Sequence, residues 1–260
     1  MLRMITAAVA FVWLAAAPAA SQAPELTIAT PGFVNNGGLD IISKAFEEET
    51  GTKVTIKYGG MEEVMGFAID GSADAVFLPA DLMDEVAAKA GLKPGTRKRV
   101  GRSYQGLAVR KGSKVPDIST KEKFVAALES ANLVLHSRCA GTPGGAGCTR
   151  TAAMISALFD RPEMARVKHA PSAYGEGGAA LARNEGDMAI QNISQIVIWD
   201  NLVVVGPVPE EYGLYLDGVA AVPAGAKSPA LGQQFIDYAT QKGAFAIWWS
   251  RGVDPRKGAD

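Results

Sequence analysis

The sequence has few histidines and almost no excess charge. It contains two histidines in 260 residues, His136 and His169, and its 26 basic side chains stand against 27 acidic ones, a formal net charge of −1. A balance this close to zero gives no support for binding to nucleic acid or to an anionic membrane surface. The histidines are far apart along the chain and lack acidic or cysteine ligands at metal spacing, so we predict no metal site and no cofactor.

The sequence also lacks the common catalytic signatures. It has no Gly-x-Ser-x-Gly elbow, no phosphate-binding loop and no dinucleotide fingerprint between a strand and a helix. We therefore predict a protein that is not an enzyme. The competing hypothesis is a secreted hydrolase with Ser137 or a free Cys139 as its nucleophile. Trp248 and Trp249 are interpreted as core residues rather than as a carbohydrate platform.

Long apolar runs are absent after residue 23, so no later segment reaches the roughly 20 apolar residues of a membrane-spanning helix. Residues 1–23 combine a basic start at Arg3, an apolar stretch over 5–17 and candidate cleavage sites after Ala19 and Ala23. This pattern is typical of a signal peptide and predicts a periplasmic or secreted protein. The alternative is a membrane anchor, which the absence of a basic flank after the short apolar run disfavours.

Cysteine is scarce, with Cys139 and Cys148 as its two occurrences. Thiols exported to an oxidising compartment tend to pair, so we predict a disulfide between them. Closing so short a ring stabilises the fold by about 2.5 to 3 kcal/mol in the chain-entropy model. The bridge is either a structural staple or a device that stiffens a ligand-binding loop, and the sequence leaves both open.

What the sequence does contain is a large apolar fraction, 48% of residues, and a regular alternation of strand and helix patterns. Apolar strand patterns at 26–29, 54–58 and 73–78 are each followed by a helical pattern, and Asp81 reads as the N-cap of the third helix. This order predicts an α/β fold with a mostly parallel sheet flanked by helices. In such folds ligands bind beyond the carboxyl ends of the strands.

The helical period disappears between residues 93 and 114, where basic residues cluster and 106–109 reads as a strand. We predict that the chain crosses here into a second α/β unit and returns with a strand at 215–222. The predicted lobes, joined by two crossing strands, are 24–105 with 214–260, and 106–213.

The functional prediction rests on four glycine-rich turns, which cover 30–38, 58–61, 138–150 and 174–178. Glycine lets a ligand approach the backbone, and the unpaired N–H groups at a helix start carry the positive end of the helix dipole. Such turns can bind an anion without lysine. The alternative is that glycine merely punctuates an α/β fold, and glutamates in the first helical turns compete for the same dipole.

Polar side chains near these turns extend the predicted anion site. Arg138 and Arg150 bracket the cysteine loop, and either guanidinium can form paired hydrogen bonds with a carboxylate. Gln191 and Asn192 follow a strand and place two amides at the expected cleft edge. The alternatives are solvated arginines and amides that serve the core or a turn. The full candidate ligand set is Thr30, Gly32, Phe33, Gly59, Gly60, Met61, Arg138, Gly144, Gly145, Thr149, Arg150, Tyr174, Gln191 and Asn192.

Segments along the whole chain resemble the extracellular solute-binding proteins of ABC importers, in particular the molybdate-binding periplasmic family. The resemblance is carried by LTIATPGFVNNGGLDIISKAFEEETGTKVTIKYGG, GSADAVFLPADLMDEVAAKAGL, GDMAIQNISQI, LVVVGPVPEE and SPALGQQFIDYATQKGAFAIWWSRGVDP. It implies the type II periplasmic binding fold, in which two α/β lobes close on a ligand and present it to a membrane permease. The expected partners are therefore a small anionic ligand and an ABC permease, and we expect a monomer.

The chain departs from the molybdate-binding pattern at the ligand turns. Molybdate binders place one serine in the first strand–helix turn and another after the second strand, whereas Pro31-Gly32-Phe33 and Gly59-Gly60-Met61 carry no hydroxyl. A late tyrosine of that family is replaced near Gln191-Asn192. We therefore predict an organic carboxylate in preference to molybdate or tungstate. A ligand-sensing subunit of a membrane receptor is a further alternative.

Overall fold

The computed structural model of the chain describes residues 23–139, 148–173 and 175–259. Within these ranges ten strands alternate with ten α-helices. The strands are β1 (Glu25–Pro31), β2 (Lys53–Gly59), β3 (Ala75–Pro79), β4 (Lys98–Arg110), β5 (Val134–His136), β6 (His169–Pro171), β7 (Met188–Asn192), β8 (Leu202–Pro207), β9 (Tyr215–Ala221) and β10 (Val253–Asp254). The helices are α1 (Gly32–Val34), α2 (Asp40–Thr50), α3 (Met61–Ile69), α4 (Ala80–Ala90), α5 (Lys121–Ser130), α6 (Arg150–Phe159), α7 (Gly177–Ala182), α8 (Ile193–Ile196), α9 (Pro229–Thr240) and α10 (Phe245–Ser250).

Helix α2 shows how the apolar period builds these elements. Ile42 and Phe46 are buried four residues apart against the sheet, while the remaining positions of the helix, apart from buried Ser43, are exposed or half-buried. Gly51 ends the helix with a φ of 68°, a left-handed conformation that favours glycine, and its N–H donates to the carbonyl of Glu47 at 2.9 Å. The short stretch Asn35–Leu39 before α2 is kinked at Gly38, whose φ of 126° is not helical.

All the strands join one sheet with the order β2-β1-β3-β9-β4-β7-β5-β6, and β10 and β8 also pair with β4. Strand β4 serves two parts of this sheet. Its residues 98–104 pair with β9 and β10, and its residues 105–110 pair with β7 and β8. We call β2, β1, β3, β9, β10 and residues 98–104 the first half-sheet, and β8, β7, β5, β6 and residues 105–110 the second half-sheet.

Parallel pairing dominates away from the centre of the sheet. Strand β1 pairs in parallel with β2 and β3, and β5 pairs in parallel with β6 and β7. Every antiparallel pair within the described ranges involves β4 or β9. The prediction of an α/β fold with a mostly parallel sheet flanked by helices is confirmed.

Each half-sheet buries both faces under helices. In the first half-sheet, Phe77 and Trp248 lie in the core under α2, α9 and α10, and Met83 lies in the core under α3 and α4. In the second, Phe124 packs in the core under α5 and α6, and Leu181 packs in the core of α7 and α8. None of the helices in the part of the chain that the structure describes is long and apolar enough to cross a membrane.

The strand predicted at 106–109 is only the last part of β4, which begins eight residues earlier, at Lys98. Basic residues cluster in the first part of β4, and for this reason no strand was predicted there. Their partners lie far away in the sequence. Arg102 lies opposite Asp217 on β9 and donates from Nε to its Oδ1 at 2.6 Å, and Lys98 pairs with Asp237 of α9 at 2.7 Å. Because these countercharges come from distant segments, the local pattern did not indicate a strand.

Candidate functional site

The carboxyl ends of the parallel strands in the first half-sheet meet at one edge. Strand β1 ends at Pro31, β2 at Gly59 and β3 at Pro79, and α1, α3 and α4 begin within two residues of these ends. At this edge three helix starts therefore lie together, in the position where α/β sheets bind ligands.

The second half-sheet presents a matching edge. Strands β5 and β7 run in parallel and end at His136 and Asn192, and the helix starts of α6 and α8 follow. The single strand β4 passes through both half-sheets and connects the two edges: through β9, the end of β3 is level with Gly101, and Gln105 pairs with Asn192 at the end of β7. The backbone N–H of Gln105 also donates to the carbonyl of Leu214 in the returning chain, at 2.9 Å.

Three contacts join the two edges directly. The guanidinium of Arg150, at the start of α6, forms an ion pair with the carboxylate of Asp81 in the first turn of α4. The hydroxyl of Ser194 donates to the carbonyl of Phe33 at 2.7 Å. Met154 of α6 packs against the core that contains Phe33. We call the edge at the ends of β1, β2 and β3 the first wall of the site, and the edge at the ends of β5 and β7 with the start of α6 the second wall.

The structure corrects the prediction for Asp81. The N-cap position of α4 is Pro79, and Asp81 lies inside the first turn with its side chain directed at Arg150. A carboxylate in a first turn is favoured by the helix dipole, and here it also has a cation from the opposite wall. The sequence predicted Arg150 as a ligand of the anion. It could not predict that the carboxylate of Asp81 occupies the same guanidinium.

The glycine turns of the first wall differ in how open they are. At Gly32 and Gly60 no heavy atom beyond the chain neighbours lies within 4 Å of the place where a Cβ would stand. At Gly59 the same place is 2.6 Å from a carboxylate oxygen of Glu63. The Glu63 side chain therefore lies over the start of α3. This agrees with the alternative prediction that glutamates in the first helical turns compete with a ligand for the helix dipole. The backbone around Gly32 is the more open approach.

The hydroxyl and amide side chains of the predicted set have partners within the protein. Thr149 is the N-cap of α6 and accepts from the N–H of Ala152 at 3.2 Å. Buried Gln191 accepts from the N–H of Gly178 at 2.6 Å. Buried Asn192 donates to the Ser103 hydroxyl at 2.8 Å and caps α8. Their contact with a ligand stays a prediction.

The remaining members of the predicted set have varied surroundings. Thr30 is fully buried at the end of β1, Met61 is half-buried at the start of α3, and Arg138 is exposed after β5. Gly144, Gly145 and Tyr174 lie outside the described residues.

The predicted disulfide between Cys139 and Cys148 is confirmed. It closes the ring directly before α6, so it ties the chain next to Arg150 to the end of β5. Cys139 is not a free thiol, which contradicts the hypothesis of a hydrolase with that nucleophile.

The two histidines, distant in sequence, are neighbours in the fold. Parallel pairing of β5 with β6 brings His136 Nε2 to 3.1 Å from His169 Nδ1, and the Phe159 ring stacks on His169 with centroids 4.1 Å apart. Burial lowers the pKa of His136 and that of His169. No cluster of three or more metal-ligating side chains occurs in the described ranges.

Acidification is expected to destabilise the protein through this pair. Because the histidine pKa values are lowered in the folded state, the unfolded chain takes up protons first as the pH falls through about 6.5, and the free energy of unfolding falls with it. We expect the urea midpoint to be lower at pH 5.5 than at pH 7.5, with a weaker dependence in His136→Gln. A midpoint that rises over the same interval would contradict this assignment.

A cavity of about 550 Å³ lies beside the strand crossing, and its lining includes Tyr104, Ile193, Trp249 and Val253. Its charged residues already pair within the protein, as Lys257 does with Glu210. None of the described ligand candidates lines it. The cavity is therefore separate from the two walls.

Comparison with known proteins gives one family and several related folds. The family model described as bacterial extracellular solute-binding protein matches residues 36–254. A curated relative, aconitate isomerase from Pseudomonas sp, is 26% identical over 262 residues, which cover 97% of each chain.

Three solved structures share the architecture. The substrate-binding domain described as that of a molybdenum ABC transporter from Clostridium difficile superposes with a TM-score of 0.70, 14% identity, and coverage of 92% of this chain and all of that one. The periplasmic molybdate-binding protein of Azotobacter vinelandii gives 0.63, 16% identity, and 88% and 98% coverage. A tungstate-binding protein from Desulfovibrio alaskensis gives 0.59, 17% identity, and 86% and 93% coverage. The predicted periplasmic binding fold is confirmed.

Proposed function

Because the chain belongs to the family of bacterial extracellular solute-binding proteins, we propose that it captures a small organic polycarboxylate between the two walls and delivers it to an ABC permease. The observation that carries the ligand class is the ion pair between Arg150 and Asp81. One of the three contacts between the walls is thus already formed by a guanidinium and a carboxylate. A ligand carboxylate can replace that of Asp81, and the guanidinium can then bind it through two parallel N–H donors.

Two further observations support an organic acid. The open turn at Gly32 and Phe33 and the turn at Gly60 carry no hydroxyl side chain, so a compact oxyanion would find only backbone donors there. The relative over nearly the full length of both chains is named for aconitate, an unsaturated tricarboxylate. Multiple carboxylates also suit a site whose donors come from two walls.

The proposed mechanism is closure of two lobes, residues 24–105 with 214–260 and residues 106–213, around the ligand. A ligand that contacts both walls binds the closed arrangement more tightly than the open one and so shifts the population toward it. We further propose that residues 1–23 are removed on export and that the protein works in the periplasm.

Titration calorimetry of the purified protein tests the ligand class. The panel consists of citrate, aconitate, succinate, molybdate, tungstate and sulfate at one pH and one salt concentration. We expect saturable binding of at least one tricarboxylate and no tight binding of molybdate or tungstate, because the two hydroxyl-free turns lack the side-chain donors of an oxyanion site. Tight molybdate binding with no response to any carboxylate would reject the proposal.

The relative's name supports a second candidate function, isomerisation of an unsaturated tricarboxylate. It is tested by incubating the protein with cis-aconitate and following the formation of the trans isomer by proton NMR. Turnover that is lost in Arg150→Gln would favour the isomerase over transport. Binding without turnover favours the solute-binding function.

A further inference from the structure

Gln105 occupies the point at which β4 passes from the first half-sheet to the second. Its N–H donates to the carbonyl of Leu214, and its carbonyl accepts from the N–H of Val208, both at 2.9 Å. The backbone of Gln105 is thus bonded to the chain that returns from the second half-sheet. The side chain therefore projects from a fixed position at the junction of the two walls.

The amide of this side chain is buried and has no partner. Gln105 is 0% exposed, and neither its Nε2 nor its Oε1 forms a hydrogen bond within the described part of the chain. Buried amides are normally paired, so an orphan donor and an orphan acceptor on one side chain require an explanation. The neighbouring polar side chains do not supply it, because Asn192 bonds with Ser103 and accepts from the N–H of Ser194.

Strand register places the Gln105 side chain on the face of the sheet that is connected to the turn after β1. Gln105 lies opposite Asn192, so both side chains leave the same face of the sheet. That face is joined through Ser194 to the carbonyl of Phe33, in the first turn after β1. Asn35, two residues further along this segment, is also buried and has an unpaired Oδ1. Orphan amide atoms therefore occur on both sides of the junction.

We infer that Gln105 binds the ligand and selects for a hydroxyl beside a carboxylate, an inference that rests on the proposed function. The amide needs one acceptor and one donor at the same time. A carboxylate oxygen accepts from Nε2, but an ionised carboxylate or oxyanion has no hydrogen to offer Oε1. A hydroxyl supplies that hydrogen, so a hydroxy acid satisfies both atoms of the side chain.

The test compares two tricarboxylates that differ by one hydroxyl, citrate and tricarballylate. We expect the wild type to bind citrate about tenfold more tightly, because a site built to bond a hydroxyl disfavours the analogue without it. In Gln105→Leu the ratio falls to about one, because citrate loses its bonds to both amide atoms, whereas tricarballylate loses only the bond from Nε2. Gln105→Met, which keeps the length of the side chain, is the second variant, and Gln234→Leu on the exposed surface of α9 is the matched control.

The outcomes separate this inference from the proposed function. If the wild type binds both compounds equally, or if the ratio persists in both Gln105 variants, the role of Gln105 is rejected while carboxylate binding stands. If no carboxylate binds, the proposed function fails and the inference fails with it. A wild-type ratio near one rejects the inference even if a variant does not fold, and the thermal midpoint of each variant shows whether it has folded.

Discussion

Replacing Arg150 with glutamine is expected to weaken the binding of a tricarboxylate by about 10- to 100-fold. Hydrogen bonds to a charged group contribute about 1.5 to 3 kcal/mol, and each 1.4 kcal/mol corresponds to a factor of ten in the dissociation constant. Glutamine keeps much of the length and polarity of the side chain but removes the charge and the fork of donors. Calorimetry with the best ligand of the panel measures the change.

The matched control is Asp81→Asn, which breaks the same ion pair from the other wall. If Arg150 binds the ligand, this variant frees the guanidinium and removes a competing negative charge, so affinity is expected to stay level or rise. If the ion pair serves only to hold the walls together, both variants weaken binding equally, and Arg150 is then no ligand contact. Both partners are more than a third exposed, so the pair contributes little to stability, and we expect neither variant to shift the unfolding midpoint appreciably.

Replacing Trp248 with alanine is expected to lower the free energy of unfolding by about 3 to 5 kcal/mol. Trp248 is 0% exposed in the core of the first half-sheet, and its indole N–H donates to the carbonyl of Ala239 at 2.8 Å. The variant leaves a cavity and an unpaired carbonyl at the end of α9. Urea unfolding followed by far-ultraviolet circular dichroism measures the difference.

The adjacent Trp249 provides the control. It is 58% exposed, and the guanidinium of Arg256 lies 4.4 Å from its ring centroid. An exposed cation–π contact contributes about 0.5 to 1 kcal/mol, so Trp249→Ala is expected to have a small effect. A loss of stability in Trp248→Ala no larger than the small loss expected for Trp249→Ala would contradict the assignment of Trp248 to the core of the first half-sheet.

These two tryptophans also show how far sequence reasoning reaches. Both were predicted to be core residues, and the prediction is confirmed for Trp248 and wrong for Trp249. Successive residues of a helix point about 100° apart, and α10 is only six residues long, too short for an apolar period to identify its buried face. The longer α2 has about three turns, and its apolar residues Ile42 and Phe46 recur at a helical interval on the buried face.

The candidate site shows the same division between local and distant information. The glycine turns and the strand ends around Pro31 and Gly59 could be predicted, because they depend on a few neighbouring residues. The partners of the predicted polar groups could not. Arg150 meets Asp81 across 69 positions of sequence, and Gln105 is distinguished by an absent partner, which no local pattern records.

The order of strands has a consequence for biosynthesis. In the first half-sheet β9 lies between β3 and β4, although it is made after the whole of the second half-sheet. When the ribosome has added Pro207, the second half-sheet has all its strands, whereas the first still has a gap that only the C-terminal fifth of the chain can fill. Premature termination after β8 would therefore yield a chain with a complete second half-sheet and an incomplete first half-sheet. The apolar surface and unpaired strand edges exposed there would make this product prone to aggregation.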